Sequence, residues 1–118
     1  MQRLWVALGA LSGLVAVAMA AVTAHLLAGP AAEIAGRAVQ MQGWHALALV
    51  ATGLWAPRGG LLARLAGAAF ALGTVLFCGA VYALALGGVH AGMLAPVGGT
   101  LLMVGWALLG VSALTARG

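Results

Sequence analysis

Charged side chains are almost missing from this sequence. It contains no lysine and no aspartate, and Glu33 is its only acidic residue, so charged residues make up only 5% of the chain. Soluble domains carry about 25% charged residues, and a chain that is 65% hydrophobic cannot cover a water-facing surface. The composition therefore excludes an ordinary soluble protein and predicts one that lies in a membrane.

The same shortages restrict the chemistry that the chain can perform. General acid–base catalysis would rest on histidine alone, and no phosphate-binding loop motif is present, so we expect no enzyme activity. The single cysteine, Cys78, excludes an intrachain disulfide, and we predict that it is a small packing residue. The five arginines are too few to indicate nucleic-acid binding and are better interpreted as signals of membrane topology.

Long uncharged runs, separated by turn residues, fill the sequence. They predict a single transmembrane domain over 1–118 with four helices, at about 4–27, 38–56, 61–86 and 95–115. The first run would be about 36 Å long as a helix, which exceeds the roughly 30 Å hydrocarbon core. Ala18-Met-Ala20 resembles a signal-peptidase site, but the apolar run continues beyond it, so we expect this helix to be retained.

Glycine and proline mark both the packing faces and the ends of these helices. Gly98, Gly105 and Ser112 fall a heptad apart, and small residues at such spacing let helices approach closely in lipid. Gly29-Pro30 is predicted to end the first helix, and Pro96 to lie in the first turn of the last one. The predicted fold class is all-α, an integral membrane four-helix bundle.

The arginines predict how this bundle is oriented. Four of them would lie at one membrane face: Arg3, Arg58, Arg64 and Arg117. The opposite face would hold Arg37 alone, offset by Glu33, so both termini are predicted to be cytoplasmic. The bias towards Ala, Gly and Arg without Lys indicates a bacterial source, so the membrane is predicted to be a bacterial inner membrane. The tryptophans fall mostly near the predicted helix ends, as interfacial anchors do: Trp5, Trp44, Trp55 and Trp106.

Several short motifs occur in a fixed order along the chain: Gly9-Ala-Leu-Ser-Gly13, Ala24-His-Leu26, Trp44-His-Ala-Leu-Ala-Leu49, Leu76-Phe-Cys-Gly-Ala-Val-Tyr82 and Ala95-Pro-Val-Gly-Gly99. Their order and spacing resemble the YgdD/YwdK-like family of small four-helix bacterial membrane proteins. The chain departs from that pattern at Thr23, where the family has glycine, and at Trp44, where it has tyrosine. The resemblance implies the four-helix topology but no function, because the family is uncharacterised.

The few polar side chains inside the predicted helices form a candidate site. Four of them are expected near the non-cytoplasmic face: His25, Gln42, His45 and Tyr82. His25 and His45 come from adjacent antiparallel helices, so their side chains can meet, and Gln42 lies three residues before His45 on the same face. Because a polar group in lipid needs a partner, the favoured interpretation is a set of hydrogen bonds that tie the helices together.

A ligand site is the alternative interpretation of the histidines. His25, His45 and His90, with Met41 or Met93 nearby, are weak candidates for a metal or haem site, since neutral imidazole is the commonest metal ligand. Against this, the histidines lack close ligand spacing and no carboxylate is near for a second shell. The sequence therefore identifies no metal and no cofactor, and proton relay or contact with a quinone or lipid headgroup stays open.

These observations favour a function within the bilayer. The chain has almost no extramembrane surface, which predicts an accessory, assembly or structural subunit whose partners are the lipid bilayer, other membrane proteins or further copies of itself, and not nucleic acid. The first alternative is that the outer-face histidines bind a metal, haem, quinone or lipid headgroup. The second alternative is a small transporter. It would have to be oligomeric, because a bundle with small-residue seams packs too tightly to leave a channel through one protomer.

Overall fold

Three helices make up the described part of the chain, residues 2–116 of a computed structural model: α1 (Gln2–Leu26), α2 (Gly29–Gly87) and α3 (Leu94–Thr115). These residues include no strand, which confirms the all-α prediction. The four-helix bundle is wrong, because the helices predicted at 38–56 and 61–86 are parts of one helix, α2. The predicted position of Arg117 lies outside the described residues.

α2 is long but not straight. A straight helix of its 59 residues would measure about 88 Å, whereas the longest dimension of the molecule is 49 Å. Gly60 has non-helical dihedral angles, φ 64° and ψ −144°, in a region open essentially to glycine alone, and Pro57 lies one turn before it. α2 therefore folds back at Gly60 into a first arm, 29–59, and a second arm, 61–87. The turn predicted at 57–60 is reduced to one non-helical residue.

The start of α2 also corrects the prediction. Gly29-Pro30 does follow the end of α1 at Leu26, but Pro30 lies in the first turn of α2, where its missing N–H is not needed. Residues 29–37, which lie before the predicted start of the second helix at about residue 38, are therefore helical. Glu33 and Arg37 form an exposed i,i+4 ion pair in this segment, with 3.8 Å between Oε1 and the guanidinium nitrogen.

The loop 88–93 joins α2 to α3 and carries His90, as predicted. Gly88 ends α2 in the left-handed conformation, with φ 65°, and its N–H donates to the carbonyl oxygen of Leu84 at 3.0 Å. Pro96 lies in the first turn of α3, which confirms its predicted place.

α2 is the central element of the packing. α1 and α3 each pack against α2, and within residues 2–116 they do not approach one another. A Cβ atom on Gly9 of α1 would lie 2.8 Å from the carbonyl oxygen of Ala46, so glycine allows α1 to rest directly on the first arm. The ring of Trp5 covers Gly67 of the second arm in the same way, so α1 contacts both arms.

α3 lies against the other side of the two arms. Its buried face is the heptad stripe predicted from the sequence: Gly98, Gly105 and Ser112, together with Leu102. A Cβ atom on Gly98 would lie 2.5 Å from the backbone nitrogen of Phe77, which shows how closely α3 approaches the second arm. A cluster of buried apolar side chains joins all three helices: Trp5, Ala48, Leu49, Ala66, Phe70 and Leu102.

The outer surface of the helices is apolar. Large aliphatic side chains point outward along α1 and α3; Val17 is 71% exposed and Leu114 is 88% exposed. All three helices are long and apolar enough to cross a membrane. Hydrocarbon chains solvate such side chains, so this surface suits a protein whose helices lie in a bilayer.

Candidate functional site

A cleft opens between α1 and the second arm of α2, with the first arm as its floor. Its volume is about 340 Å³. Its lining is mostly apolar, with a minority of hydroxyl, amide and thiol groups: Leu8, Leu11, Ser12, Val15, Gln42, Leu49, Ala71, Thr74, Val75, Cys78, Gly79 and Tyr82. No charged side chain lines it, so the cleft suits an uncharged guest.

A chain of hydrogen bonds crosses the end of this cleft. The hydroxyl of Tyr82 donates to Oε1 of Gln42 at 2.7 Å. Nε2 of Gln42 donates in turn to the hydroxyl of Ser12 at 3.4 Å, a long and weak bond. Gln42 is 7% exposed, so its amide is buried among all three helical segments that surround the cleft. The structure thus brings together two of the predicted polar residues, Gln42 and Tyr82.

His45 faces away from the cleft and towards α3. Its Nδ1 lies 2.6 Å from the carbonyl oxygen of Met41, which can only accept, so Nδ1 carries the proton. Its Nε2 accepts from the indole N–H of Trp106 at 3.0 Å. Phe70 packs at 5.9 Å from the imidazole, measured between ring centroids. The geometry therefore holds His45 as a neutral imidazole with both nitrogens occupied, which links the first arm to α3.

The other two histidines lie apart from this arrangement. His25 is exposed in the last turn of α1, and His90 is exposed in the loop 88–93. Among residues 2–116 no hydrogen bond joins His25 to Gln42 or His45, and no three His, Cys, Asp or Glu side chains are grouped as a metal site requires. The expected meeting of His25 with His45 is not found.

Cys78 and three of the tryptophans contact neighbouring helical segments. Cys78 is 3% exposed, and its thiol lies 3.6 Å from the carbonyl oxygen of Ala38 on the facing arm. The anchor interpretation fails for Trp5, which is 6% exposed in the core. It fails also for Trp106, which lies midway along α3 and bonds to His45. Trp55 donates to Ser112 at 2.9 Å and so ties the first arm to α3.

Sequence reasoning missed the positions of three polar residues: Ser12, Thr74 and Trp106. A signal for Ser12 was available, since no other hydroxyl, amide or charged side chain occurs between Arg3 and Thr23. Thr74 follows Gly67 and Ala71 at helical spacing, a pattern that is typical of a packing face. Its hydroxyl oxygen is nevertheless buried without a hydrogen-bond partner in the described residues.

Comparison with known proteins gives a family but no activity. The family described as "Protein of unknown function (DUF423)" matches residues 19–99. A UPF0382 membrane protein of Haemophilus influenzae is 34% identical over 90% of this chain and 90% of its own. One of Staphylococcus epidermidis is 33% identical over 99% of this chain and 100% of its own, and one of Staphylococcus haemolyticus is 33% identical over 94% and 95%. The narrower YgdD/YwdK-like resemblance is not confirmed by these matches. No solved structure matches the chain.

Proposed function

We propose that this chain, which belongs to the UPF0382 (DUF423) family of membrane proteins of unknown function, is an accessory or assembly subunit that binds a transmembrane helix of another protein. Its helices leave little polar surface outside the bilayer, so a partner must be met largely within the lipid. The proposed surface is the outward face of the first arm around Gly36 and Gly43, which we call the glycine face. We propose no catalytic role for the protein.

The observation that carries this proposal is that the fold itself does not need these glycines. Nothing lies within 4 Å of a Cβ atom built on Gly36 or on Gly43. A glycine inside a helix is less favourable than alanine by about 1 kcal/mol, so open glycines impose a cost without easing any contact in this chain. In membranes, small residues on a helix face allow a second helix to approach closely.

Polar and aromatic side chains lie on the same face. Gln40 is exposed, between Gly36 and Gly43, and Trp44 is 62% exposed beside it. A shallow groove of about 330 Å³ runs past Gly43 and is bordered by Gln40, Trp44 and Leu47. An amide on an outward helix face is favoured by a partner that bonds to it, and an exposed indole supplies contact area. These features support a protein partner over lipid alone.

The test uses two glycines with the same open surroundings. Gly43→Leu places a large side chain in the groove and is expected to abolish cross-linking to the partner in native membranes. The variant is expected to fold, because nothing lies within 4 Å of the new Cβ position. Gly110→Leu on α3 is the matched control, since nothing lies within 4 Å of its Cβ position either. Equal capture by wild type and Gly43→Leu, or wild type that cross-links only to itself, would refute the proposal.

We also propose that both termini lie in the cytoplasm, in a bacterial inner membrane. Arg3, Arg58 and Arg64 lie at the end of the molecule where α1 begins and α2 turns, and the other end has the Glu33–Arg37 ion pair. An excess of arginine marks the cytoplasmic side.

The orientation can be measured by cysteine labelling. In a Cys78→Ala background, a membrane-impermeant maleimide applied to intact cells should label His90→Cys and leave Pro57→Cys unlabelled until the cells are opened. The two sites are exposed at opposite ends of the molecule, Pro57 beside the fold-back at Gly60 and His90 in the loop that follows the second arm. The reverse pattern would place the termini outside.

A further inference from the structure

The hydroxyl groups of the described residues differ in whether they donate a hydrogen bond. Residues 2–116 contain eight, and six of them donate a hydrogen bond to a protein acceptor: Thr23, Thr52, Tyr82, Thr100, Ser112 and Thr115. The two that donate to no acceptor are Ser12 and Thr74, and both line the cleft between α1 and the second arm. Within residues 2–116, the hydroxyl groups without an acceptor therefore both lie in the cleft, whereas the other buried donor without a partner, the indole N–H of Trp5, lies outside it.

Thr74 is the exception among the threonines. The other four donate to the carbonyl oxygen four residues earlier, at 2.7–2.9 Å, as threonine commonly does in a helix. Thr74 is 6% exposed and makes no such bond, although the carbonyl of Phe70 stands at the same spacing. Its oxygen is covered by neighbouring atoms, so rotation about χ1, which exchanges Oγ1 with the methyl group, is needed to turn the hydroxyl into the cleft.

The depth of these two groups excludes water as their ordinary partner in a bilayer. Ser12 lies about 15 Å along α1 from Gln2, and Thr74 about 20 Å along the second arm from Leu61, at 1.5 Å per residue. Both are therefore near the middle of helical segments that are long enough to cross. In the hydrocarbon region polar groups must be satisfied by protein or by a ligand.

We propose that this cleft binds the ring of a quinone. The ligand must be uncharged, because no charged side chain lines the cleft, and largely apolar, because Leu8, Leu11 and Val75 are among its walls. It must also bring acceptor oxygens to mid-depth, where Ser12 and Thr74 have hydroxyl protons to donate. The acyl chain of a phospholipid has no acceptor at that depth. A quinone has two carbonyl oxygens on a flat ring, and its isoprenoid tail leaves through the open side into lipid.

The dimensions and the neighbouring groups agree with this ligand class. A cleft of about 340 Å³ falls within the range of small-molecule sites, roughly 300–1,000 Å³. Gln42 and Tyr82 already bond to one another, which leaves the two hydroxyls as the groups that recognise the ligand. The site lies on the α1 side of α2 and does not include the glycine face, so it is independent of the proposed partner surface.

The test is a titration of the purified full-length protein in lipid nanodiscs with 2-decyl-1,4-benzoquinone, following saturable quenching of tryptophan fluorescence. Thr74→Val keeps the side-chain shape and removes the hydroxyl; we expect it to raise the dissociation constant about five- to tenfold, the loss of one hydrogen bond. Ser12→Ala is the second variant, with the same expectation. Thr52→Val is the matched control, because Thr52 is buried, bonds to Ala48 and does not line the cleft.

Three results would overturn the proposal. The first is wild type without saturable quenching, and the second is unchanged affinity in both Thr74→Val and Ser12→Ala. The third is displacement of the probe by hexadecane as effectively as by a second quinone, because hexadecane has no oxygen for the hydroxyls to recognise. A thermal melt of Thr74→Val no lower than that of wild type shows that any lost binding is not caused by unfolding.

Discussion

The contact between α3 and the second arm predicts a large effect from a single methyl group. A Cβ atom on Gly98 would lie 2.5 Å from the backbone nitrogen of Phe77 and 2.9 Å from the carbonyl oxygen of Gly73. Both obstacles are backbone atoms and cannot rotate aside. Non-bonded heavy atoms pack best at about 3.5 Å or more, so Gly98→Ala forces α3 away from the second arm by about 1 Å.

Two opposing effects set the magnitude. Alanine is favoured over glycine in a helix interior by about 1 kcal/mol, which stabilises the variant. Overpacking a close contact costs about 1–3 kcal/mol and occasionally more. The displacement also strains the contact of Gly105 with Phe70 farther along the same face. Because two backbone atoms oppose the methyl group, the upper part of that range applies, about 2–3 kcal/mol, and we expect Gly98→Ala to destabilise the protein by roughly 1–2 kcal/mol in net terms.

Gly110→Ala in the same helix is the control. Nothing lies within 4 Å of the Cβ position of Gly110, so only the helix-propensity gain of up to about 1 kcal/mol remains. The measurement is the midpoint of unfolding in mixed micelles as the fraction of denaturing detergent rises, followed by circular dichroism. Opposite signs for the two variants are expected. A Gly98→Ala variant as stable as Gly110→Ala would refute the close contact between α3 and the second arm.

Three further predictions rest on the same structure. Gly60 has φ 64° and ψ −144°, so Gly60→Ala should destabilise the protein by about 1–3 kcal/mol. The variant should also increase the distance between spin labels placed on the two arms. Trp106→Phe leaves the buried Nε2 of His45 without its donor, so the unfolding midpoint should fall by the equivalent of about 1–3 kcal/mol, while Trp44→Phe at an exposed site should change little. Cys78, at 3% exposure, should react with a maleimide only after unfolding; rapid labelling of the folded protein would contradict its burial.

The helix ends show why the sequence predicted the fold class but not the helix count. Long apolar runs with few arginines are enough to predict helices in a membrane. Pro30 and the Pro57–Gly60 segment were both interpreted as separators, yet proline is accepted in the first turn of a helix, and one glycine with positive φ is enough to reverse α2. The positions of proline and glycine alone do not distinguish a loop of several residues from a single non-helical residue.

The candidate site was predictable in part for a related reason. Buried polar groups in lipid must pair, and with so few available, Gln42 and Tyr82 were expected in one cluster. His45 lies only three residues from Gln42, and a shared helix face was taken to mean shared partners. Because the first arm contacts α1 on one side and α3 on the other, a rotation of about 60° between positions i and i+3 is enough to direct His45 to Trp106 instead.

α1 and α3 are held to α2 unequally, and this bears on which helix responds to a ligand. Two indole hydrogen bonds tie α3 to the first arm, from Trp106 at 3.0 Å and from Trp55 at 2.9 Å. The only side-chain hydrogen bond from α2 to α1 within the described residues is that of Gln42 with Ser12, at 3.4 Å. A guest in the cleft should therefore move and then stabilise α1, so that slower hydrogen–deuterium exchange on adding the quinone is concentrated in residues 2–26. Equal protection across α3 would contradict this asymmetry, because α3 takes no part in lining the cleft.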